Sequence, residues 1–232
     1  YAIKDPEVRT RFRDEINSWI EKGWLVESDD QTKQGLLPLM AVVQKQKNKV
    51  RPVLDFHELN RYISSHTMDL DSCDAKLREW RQKSENIQAL DLRNAYLQLH
   101  VKENLWKYQR VCYDGVVYNL TRLGFGLASA PRIMTKVLER VLSLEEKIRS
   151  GTSIYVDDIL VDGSVVSVEE VVEHLKCFGL ECKETSDFIG SKLLGLQIYE
   201  KDGTVMWTRG RTVPEIVGRL TKKGVFSLCG QL

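Results

Sequence analysis

The sequence predicts an α+β fold in which helices pack against an antiparallel sheet. Between residues 87 and 199, apolar runs of strand length alternate with amphipathic stretches in the order strand–helix–strand–strand–helix–strand. The turn signal Asp114-Gly115 separates two further apolar runs, which predicts a tight hairpin. Hydrophobic residues make up 42% and charged residues 29% of the 232-residue chain, an ordinary balance for a globular protein. Together these features favour a split α+β plan, in one large domain or two small subdomains.

The N-terminal part begins with a predicted helix over residues 5–22. Asp5 is a suitable N-cap, Pro6 fits the first turn, and a glycine follows the apolar stripe. Residues 24–38 are polar and predict an irregular segment. From Leu39 to Phe56, two apolar runs flank the polar sequence Q-K-Q-K-N-K, which predicts a hairpin.

Four cations cluster in this hairpin with no acid between them: Lys45, Lys47, Lys49 and Arg51. A solubilising turn that blunts a sheet edge has this composition. A mobile loop whose cations reach a polyphosphate has it as well. Composition alone favours the solubilising turn, and both interpretations stay open.

The remaining elements follow from periodicity and turn signals. They are a helix around Ala75–Gln82, a strand Ile87–Asp91, hairpin strands Tyr108–Tyr113 and Val116–Leu120, a helix of roughly Arg132–Leu142, and a last hairpin that starts with Leu193–Tyr199. Ser167 and Glu170 fit a capping box for a helix that ends before Gly179. The glycine-rich run at residues 123–131 precedes a helix, which by itself is a weak phosphate-binding signal.

Two adjacent carboxylates, Asp157 and Asp158, stand within the apolar run Ile154–Val161, where a hairpin is predicted to turn. Aspartate is common in solvated turns, because its side chain bonds to nearby backbone groups. Like charges held side by side also repel unless a cation compensates them, so a cation site is the second interpretation. Asp91, at the end of another apolar strand, is either a strand-terminating cap or a further ligand.

Composition narrows the possible classes of protein. The formal net charge of +1 does not indicate a nucleic-acid binder, so any basic surface must be local. The five cysteines include no C-x-x-C pair, which predicts reduced thiols and an intracellular location. No apolar run is long enough for a membrane span, and no signal peptide is recognisable. Because the chain begins at Tyr1 without Met, we expect it to be a piece of a longer polypeptide.

From about Ile16 to Tyr199, the chain resembles the reverse transcriptases of retroviruses and LTR retrotransposons. Six motifs in family order carry the resemblance: R-P-V-L-D-F-H-E-L-N (51–60), A-L-D-L-R-N-A-Y (89–96), L-G-F-G-L-A-S-A-P (123–131), Y-V-D-D-I-L (155–160), G-L-E-C-K (179–183) and L-L-G-L-Q-I-Y (193–199). The pattern is nearest to gypsy-like elements, since Phe125 stands where retroviral enzymes often carry Gln.

The resemblance implies a right-hand polymerase with fingers and a ferredoxin-like palm. Fingers would comprise residues 1–60 and 97–128, and the palm residues 61–96 and 129–203. Residues 204–232 would begin a truncated thumb, in which Arg209 and Arg211 contact template–primer phosphates without sequence preference.

The resemblance also implies a catalytic centre with two Mg²⁺ ions, for which Mn²⁺ is a substitute. The implied ligands are Asp91 and Asp157, the backbone carbonyl of Leu92, and a supporting Asp158. Magnesium takes oxygen ligands of this kind. Lys183 would donate a proton to the leaving pyrophosphate, although a plain surface lysine is the alternative.

For the incoming deoxynucleotide, the resemblance implies a further set of contacts. Arg51 and either Lys45 or Lys47 would hold the triphosphate. The other implied nucleotide contacts are Asn94, Ala95, Tyr96, Phe125 and Gly126, with the Tyr96 ring under the deoxyribose. The primer grip would be Leu194, Gly195 and Leu196. Gly124 stands where the family often has proline, and this departure predicts a looser loop.

The implied activity is RNA-directed and DNA-directed DNA polymerisation, with an RNA or DNA template, a primer and deoxynucleotides as partners and no membrane association. The implied location is cytoplasmic, inside a virus-like particle in some cases, and the sequence does not specify an oligomeric state. Two other functions stay open: a catalytically silent palm that binds nucleic acid or protein, and an RNA-copying polymerase or nucleotide cyclase on a similar palm.

Overall fold

The computed structural model describes residues 3–44, 49–64, 73–81, 86–183, 186–187, 189–190, 192–193, 196–202 and 204–209. Its helices are α1 (Pro6–Glu21), α2 (His57–Asn60), α3 (Cys73–Arg81), α4 (Glu103–Trp106), α5 (Ala130–Leu142), α6 (Glu146–Gly151) and α7 (Val168–Cys177), with a 3-10 turn at Ala95–Gln98. Its strands are β1 (Leu25–Glu27), β2 (Leu39–Gln44), β3 (Lys49–Leu54), β4 (Ile87–Asp91), β5 (Arg110–Tyr113), β6 (Val116–Leu120), β7 (Thr152–Tyr155), β8 (Asp158–Asp162), β9 (Ser186–Asp187), β10 (Lys192–Leu193), β11 (Leu196–Lys201) and β12 (Thr204–Arg209).

A four-stranded antiparallel sheet forms the centre of the molecule, with strand order β7-β8-β4-β9. The chain passes through β4, α5, β7, β8, α7 and β9 in turn, which confirms the predicted α+β class with a split order. The predicted last strand, Leu193–Tyr199, is not part of this sheet: it falls on β10 and β11, and β9 takes its place. Helices α5 and α7 contribute Met134, Leu138, Val171 and Leu175 to the core against this sheet, and all four are fully buried. Each helix buries one face against the sheet. This packing fixes the position of the strands whose ends carry the acidic residues.

The N-terminal part has a second core, built from α1, the hairpin β2–β3 and the sheet β1-β6-β5. Helix α1 begins as predicted, because the Asp5 side chain accepts the Glu7 amide at 2.9 Å. The irregular segment predicted at residues 24–38 is wrong in part, since β1 pairs with β6 there. Leu25 is buried in that strand, but its partner lies more than 90 residues away, and a three-residue run carries no periodic signal.

A further sheet, in the order β10-β11-β12, holds the C-terminal end of the described chain. The register pairs Lys201 at the end of β11 with Thr204 at the start of β12. The limits predicted for fingers, palm and thumb stay a prediction. Within the described residues, no helix is long and apolar enough to cross a membrane.

Candidate active site

Three carboxylates meet where two adjacent strands end. Asp91 is the last residue of β4 and lies directly opposite Asp158, the first residue of β8. Asp157 is in the two-residue turn that joins β7 to β8, beside Asp158. Residues Leu90 and Ile159, which precede Asp91 and follow Asp158, are almost completely buried and pair in the same register. The packed strands thereby hold the acidic group at a defined edge of the sheet.

Burial and neighbouring negative charge raise the pKa of Asp157 and of Asp158. Burial, and then the charges of Asp157 and Asp91, raises the pKa of Asp158 to about 6. Burial raises the pKa of Asp157 as well, with a smaller contribution from the charge of Asp91. Lys183 counteracts both shifts. The cluster therefore carries uncompensated negative charge, as the interpretation of Asp157 and Asp158 as a cation site requires.

Val156 holds the turn in an unusual backbone conformation. Its φ is 58°, in the left-handed region that β-branched residues rarely adopt. A glycine is the usual residue for the first position of such a two-residue turn. Strain of this kind is typical of functional sites, where the surrounding structure imposes the conformation.

Lys183 lies beside Asp91, as a catalytic assignment requires. The backbone N–H of Lys183 donates to the carbonyl of Asp91 at 2.8 Å, and its ammonium group contacts the Asp91 carboxylate. Both side chains are about half exposed, at 50% and 47%. Lys183 is therefore a solvent-accessible counter-ion at the edge of the acidic cluster and is not buried within it.

The donor chemistry fits a hard divalent cation. Carboxylate and backbone carbonyl oxygens are the ligands that Mg²⁺ prefers. Leu92 and Cys182 are paired in an isolated antiparallel bridge. The hydrogen bonds of this bridge are made by the residues on either side of the pair. The carbonyl of Leu92 is therefore directed away from Cys182. In the part of the chain that the structure describes, no three acidic, histidine or cysteine side chains are arranged so that together they could hold a metal ion.

Tyr96 lies near the carboxylates and also packs, half-buried, against the core beside the central sheet. Burial, and then the charge of Asp157, raises its pKa to about 12. Its ring packs edge-on against Phe125, with 5.5 Å between the ring centroids. Phe125 is 62% exposed, which is unusual for a phenylalanine and leaves one face of this aromatic pair open. Asn94 and Ala95 precede Tyr96 at the start of the 3-10 turn, with Asn94 in a left-handed conformation.

Two side chains, Gln109 and Asn60, hold the loop that carries Phe125. Gln109 accepts the Gly124 amide at 3.1 Å and donates to the carbonyl of Arg122 at 3.1 Å. Asn60 donates to the carbonyl of Gly126 at 2.9 Å and accepts the Ala128 amide at 2.8 Å. None of these contacts was anticipated from the sequence.

The looser loop predicted from Gly124 is wrong. An added Cβ at Gly124 would lie 2.1 Å from Cζ of Phe56, a ring that is 2% exposed, and 2.7 Å from Oε1 of Gln109. A proline there would also lack the N–H that Gln109 binds. A close aromatic contact and a buried hydrogen bond thus take the place of the proline.

Gly124→Ala should lower the free energy of unfolding by roughly 1–3 kcal/mol, because the buried Phe56 ring has to move. Denaturant unfolding measures this change. The double variant Phe56→Leu/Gly124→Ala is the control, since a smaller ring relieves the clash. Its loss of stability should be clearly less than the sum of the two single losses, and simple additivity would contradict the contact.

Of the remaining predicted site residues, some lie within the described part of the chain and others lie outside it. Arg51 is exposed on β3, opposite Val42, in the predicted hairpin. Gly126 is exposed and has a φ of 111°, which favours glycine. Leu196 is half-buried in β11, and Arg209 ends β12. Several predicted residues lie outside the described residues: Lys45, Lys47, Leu194, Gly195 and Arg211.

The comparison that decides the family is with family models. Residues 39–189 match the model described as reverse transcriptase (RNA-dependent DNA polymerase). The chain belongs to the reverse transcriptase family. The candidate site lies within the matched residues, because the match includes Asp91, Asp157, Asp158, Lys183 and Tyr96. The predicted resemblance is thereby confirmed.

Two curated relatives are retrotransposon proteins of Drosophila melanogaster. The reverse transcriptase chain is 29% identical over 128 residues to a retrovirus-related Pol polyprotein from transposon opus, covering 53% of this chain and 12% of the relative. It is 30% identical over 129 residues to a retrovirus-related Pol polyprotein from transposon gypsy, covering 55% and 12%. The chain thus spans only about an eighth of the length of these relatives.

A solved structure of a foamy viral protease–reverse transcriptase has the same fold. The TM-score is 0.76 at 21% identity, over 100% of this chain and 40% of that chain. Prototype foamy virus protease–reverse transcriptase gives a TM-score of 0.67, also at 21% identity, over 94% of this chain and 28% of that chain. These likenesses confirm the predicted α+β polymerase fold of fingers and palm.

Proposed function

We propose that the chain is the polymerase core of a gypsy-like retrotransposon or retroviral reverse transcriptase. It extends a primer 3′-hydroxyl with deoxynucleotides under the direction of an RNA or DNA template. The observation that carries the proposal is the register of Asp91 opposite Asp158, with Asp157 and Lys183 beside them, inside the reverse transcriptase homology. The foamy viral structure described in complex with double-stranded DNA supports a nucleic-acid duplex as partner.

Asp91 and Asp157 bind the metal ions of the reaction, with the Leu92 carbonyl as a further ligand and Asp158 in support. When bound, two Mg²⁺ ions, or Mn²⁺ in their place, stabilise the charge that develops on the attacking and leaving oxygens. The register sets Asp91 opposite Asp158 and therefore close to Asp157 in the adjoining turn, which would let both aspartates reach one substrate phosphate. Lys183 provides a proton near the leaving pyrophosphate.

The nucleotide lies between the fingers hairpin and the aromatic pair. Arg51 binds the triphosphate together with Lys45 or Lys47, because a guanidinium pairs well with phosphate oxygens. Asn94, Ala95 and Gly126 present backbone to the nucleotide, and the Tyr96 ring faces the sugar. Leu194, Gly195 and Leu196 support the primer end, while Arg209 and Arg211 bind template–primer phosphates.

Primer extension on an RNA template tests the proposal and separates it from the other functions. With Mg²⁺ and deoxynucleotides, the chain should extend the primer, and ribonucleotides should support little extension. Preference for ribonucleotides would indicate an RNA-copying polymerase. Tight binding of the duplex with no extension, even with Mn²⁺ and a DNA template, would indicate a silent module and contradict the proposal.

Arg51→Ala should raise the KM for deoxynucleotides by roughly tenfold or more and leave the Kd for the template–primer duplex nearly unchanged. The reason is that the proposed contact is to the triphosphate. Steady-state kinetics and duplex titration measure the two quantities. Lys33→Ala, an exposed cation outside this hairpin and its cation cluster, is the control and should change neither strongly. A variant that loses only duplex affinity would assign this hairpin to the template.

A further inference from the structure

The segment Glu181–Lys183 lies along the edge of β4 where that strand reaches the site. The Lys183 amide donates to the Asp91 carbonyl at 2.8 Å, and the Arg93 amide donates to the Glu181 carbonyl at 2.9 Å. Between these bonds, Leu92 is paired with Cys182. This short ladder sets Lys183 opposite Asp91, so its ammonium group reaches the carboxylate.

A single glutamine, Gln98, binds this ladder from the side. Its Oε1 accepts the Glu181 amide at 2.6 Å, and its Nε2 donates to the Glu181 carbonyl at 2.9 Å. The same Nε2 also donates to the Arg93 carbonyl. One side-chain amide therefore binds both polar backbone groups of Glu181 and joins them to the turn that follows Asp91.

We propose that Gln98 is a positioning residue for catalysis, which acts by holding Glu181–Lys183 against the turn after Asp91 and so keeps the Lys183 ammonium at the carboxylate cluster. This role rests on the proposed polymerase function. Gln98 ends the 3-10 turn that also carries Tyr96, so one turn joins the sugar-facing ring to the lysine segment.

A primary amide suits this contact because its oxygen accepts while its NH₂ group donates to two carbonyls. Only a side chain with both a donor and an acceptor can bind the N–H and the C=O of one residue together. Leucine has a similar size and makes neither bond, while glutamate accepts but cannot donate. Without the amide, the segment keeps its backbone bonds to Asp91 and Arg93, and edge bonds of this kind open locally at low free-energy cost.

Gln98→Leu should lower the rate of single-nucleotide incorporation by roughly tenfold or more, the scale of a displaced general acid. The Kd for the deoxynucleotide should stay nearly constant, because no nucleotide contact is removed. In a Lys183→Met background, the same change should have no further effect on the rate, since the residue through which Gln98 acts is already gone. A full additional loss in that background would overturn the proposal.

Gln31 offers a matched control. Its amide makes a comparable clamp in the N-terminal part, with Nε2 donating to the Ser28 carbonyl at 2.6 Å and Oε1 accepting the Val117 amide at 3.0 Å. Gln31→Leu should lower the unfolding temperature without slowing incorporation below that temperature. If Gln98→Leu and Gln31→Leu affect rate and stability alike, Gln98 is only structural and the proposal fails.

Amide hydrogen exchange separates this proposal from the proposed function, because it needs no activity. Gln98→Leu should accelerate exchange at the Lys183 and Arg93 amides at least tenfold, and leave the β5–β6 amides unchanged. Unchanged exchange at Lys183 and Arg93 would overturn the clamp even in an active polymerase. A different outcome is that Gln98→Leu accelerates exchange but the wild-type chain shows no templated incorporation. That outcome would overturn the proposed function and the catalytic role of Gln98, and the clamp would be a structural link only.

Discussion

Asp157→Asn and Asp91→Asn are each expected to slow nucleotide incorporation by roughly a thousandfold or more. An amide keeps the shape of the carboxylate but removes the charge that binds a divalent cation. Because burial and the neighbouring Asp91 already raise the pKa of Asp157, the charged form is disfavoured in the folded protein. Asp157→Asn should therefore unfold at the same temperature as the wild type at neutral pH, or at a higher one. Single-turnover incorporation and thermal unfolding measure both effects.

Asp114→Asn is the matched control for this pair. Asp114 also occupies a tight hairpin turn, with a φ of 50°, and asparagine tolerates that conformation well. It is exposed in the turn between β5 and β6, outside the acidic cluster. The control should incorporate nucleotides at the wild-type rate. Near-normal incorporation by Asp157→Asn or Asp91→Asn would contradict the assignment of these residues as metal ligands.

Tyr96→Val is expected to increase the use of ribonucleotides relative to deoxynucleotides by roughly tenfold or more. The half-buried ring packs against Phe125 and lies near Asp157, so it is held rigidly at the site. A 2′-hydroxyl on the incoming sugar would collide with a ring that cannot move aside. The shorter side chain removes the collision and leaves the three carboxylates in place. The ratio of kcat/KM for the two sugars measures this selectivity.

Tyr96→Phe keeps the ring and loses only the hydroxyl, so its ratio should stay close to that of the wild type. The alternative is that Tyr96 serves only as a packing aromatic beside the sheet. In that case Tyr96→Val would lower the unfolding temperature and leave the sugar ratio unchanged. Deoxynucleotide use by Tyr96→Val should fall only modestly, because the triphosphate contacts lie elsewhere.

The central sheet could be predicted from β4 to α7 because the signals of these elements are local, whereas the two-residue strand β9 carries no such signal. The capping box at Ser167 and Glu170 forms as expected, with the Glu170 amide donating to the Ser167 hydroxyl at 3.2 Å. The tight turn at Asp114-Gly115 also forms where the sequence predicts it. The three aspartates were recognisable for the same reason, since Asp91 ends one apolar run and Asp157 and Asp158 interrupt another.

Contacts between distant parts of the chain could not be predicted in this way. Gln98 and Glu181 are 83 residues apart, and neither carries a pattern that points to the other. The fit of the Phe56 ring against Gly124 depends on tertiary packing, which periodicity does not report. The β-branched side chain of Val156 predicts a strand residue. Its positive φ arises only because the residue lies in the tight turn of the hairpin. The position of Lys183 at the site came from resemblance alone.

The most direct test of the central claim is single-nucleotide incorporation opposite each base of an RNA template. With a DNA primer and Mg²⁺, the wild-type chain should add only the deoxynucleotide complementary to the template base, and chelation of the metal should stop the addition. Incorporation that ignores the template base, or none with either Mg²⁺ or Mn²⁺, would contradict the assignment of the Asp91, Asp157 and Asp158 cluster as the centre of an RNA-directed DNA polymerase.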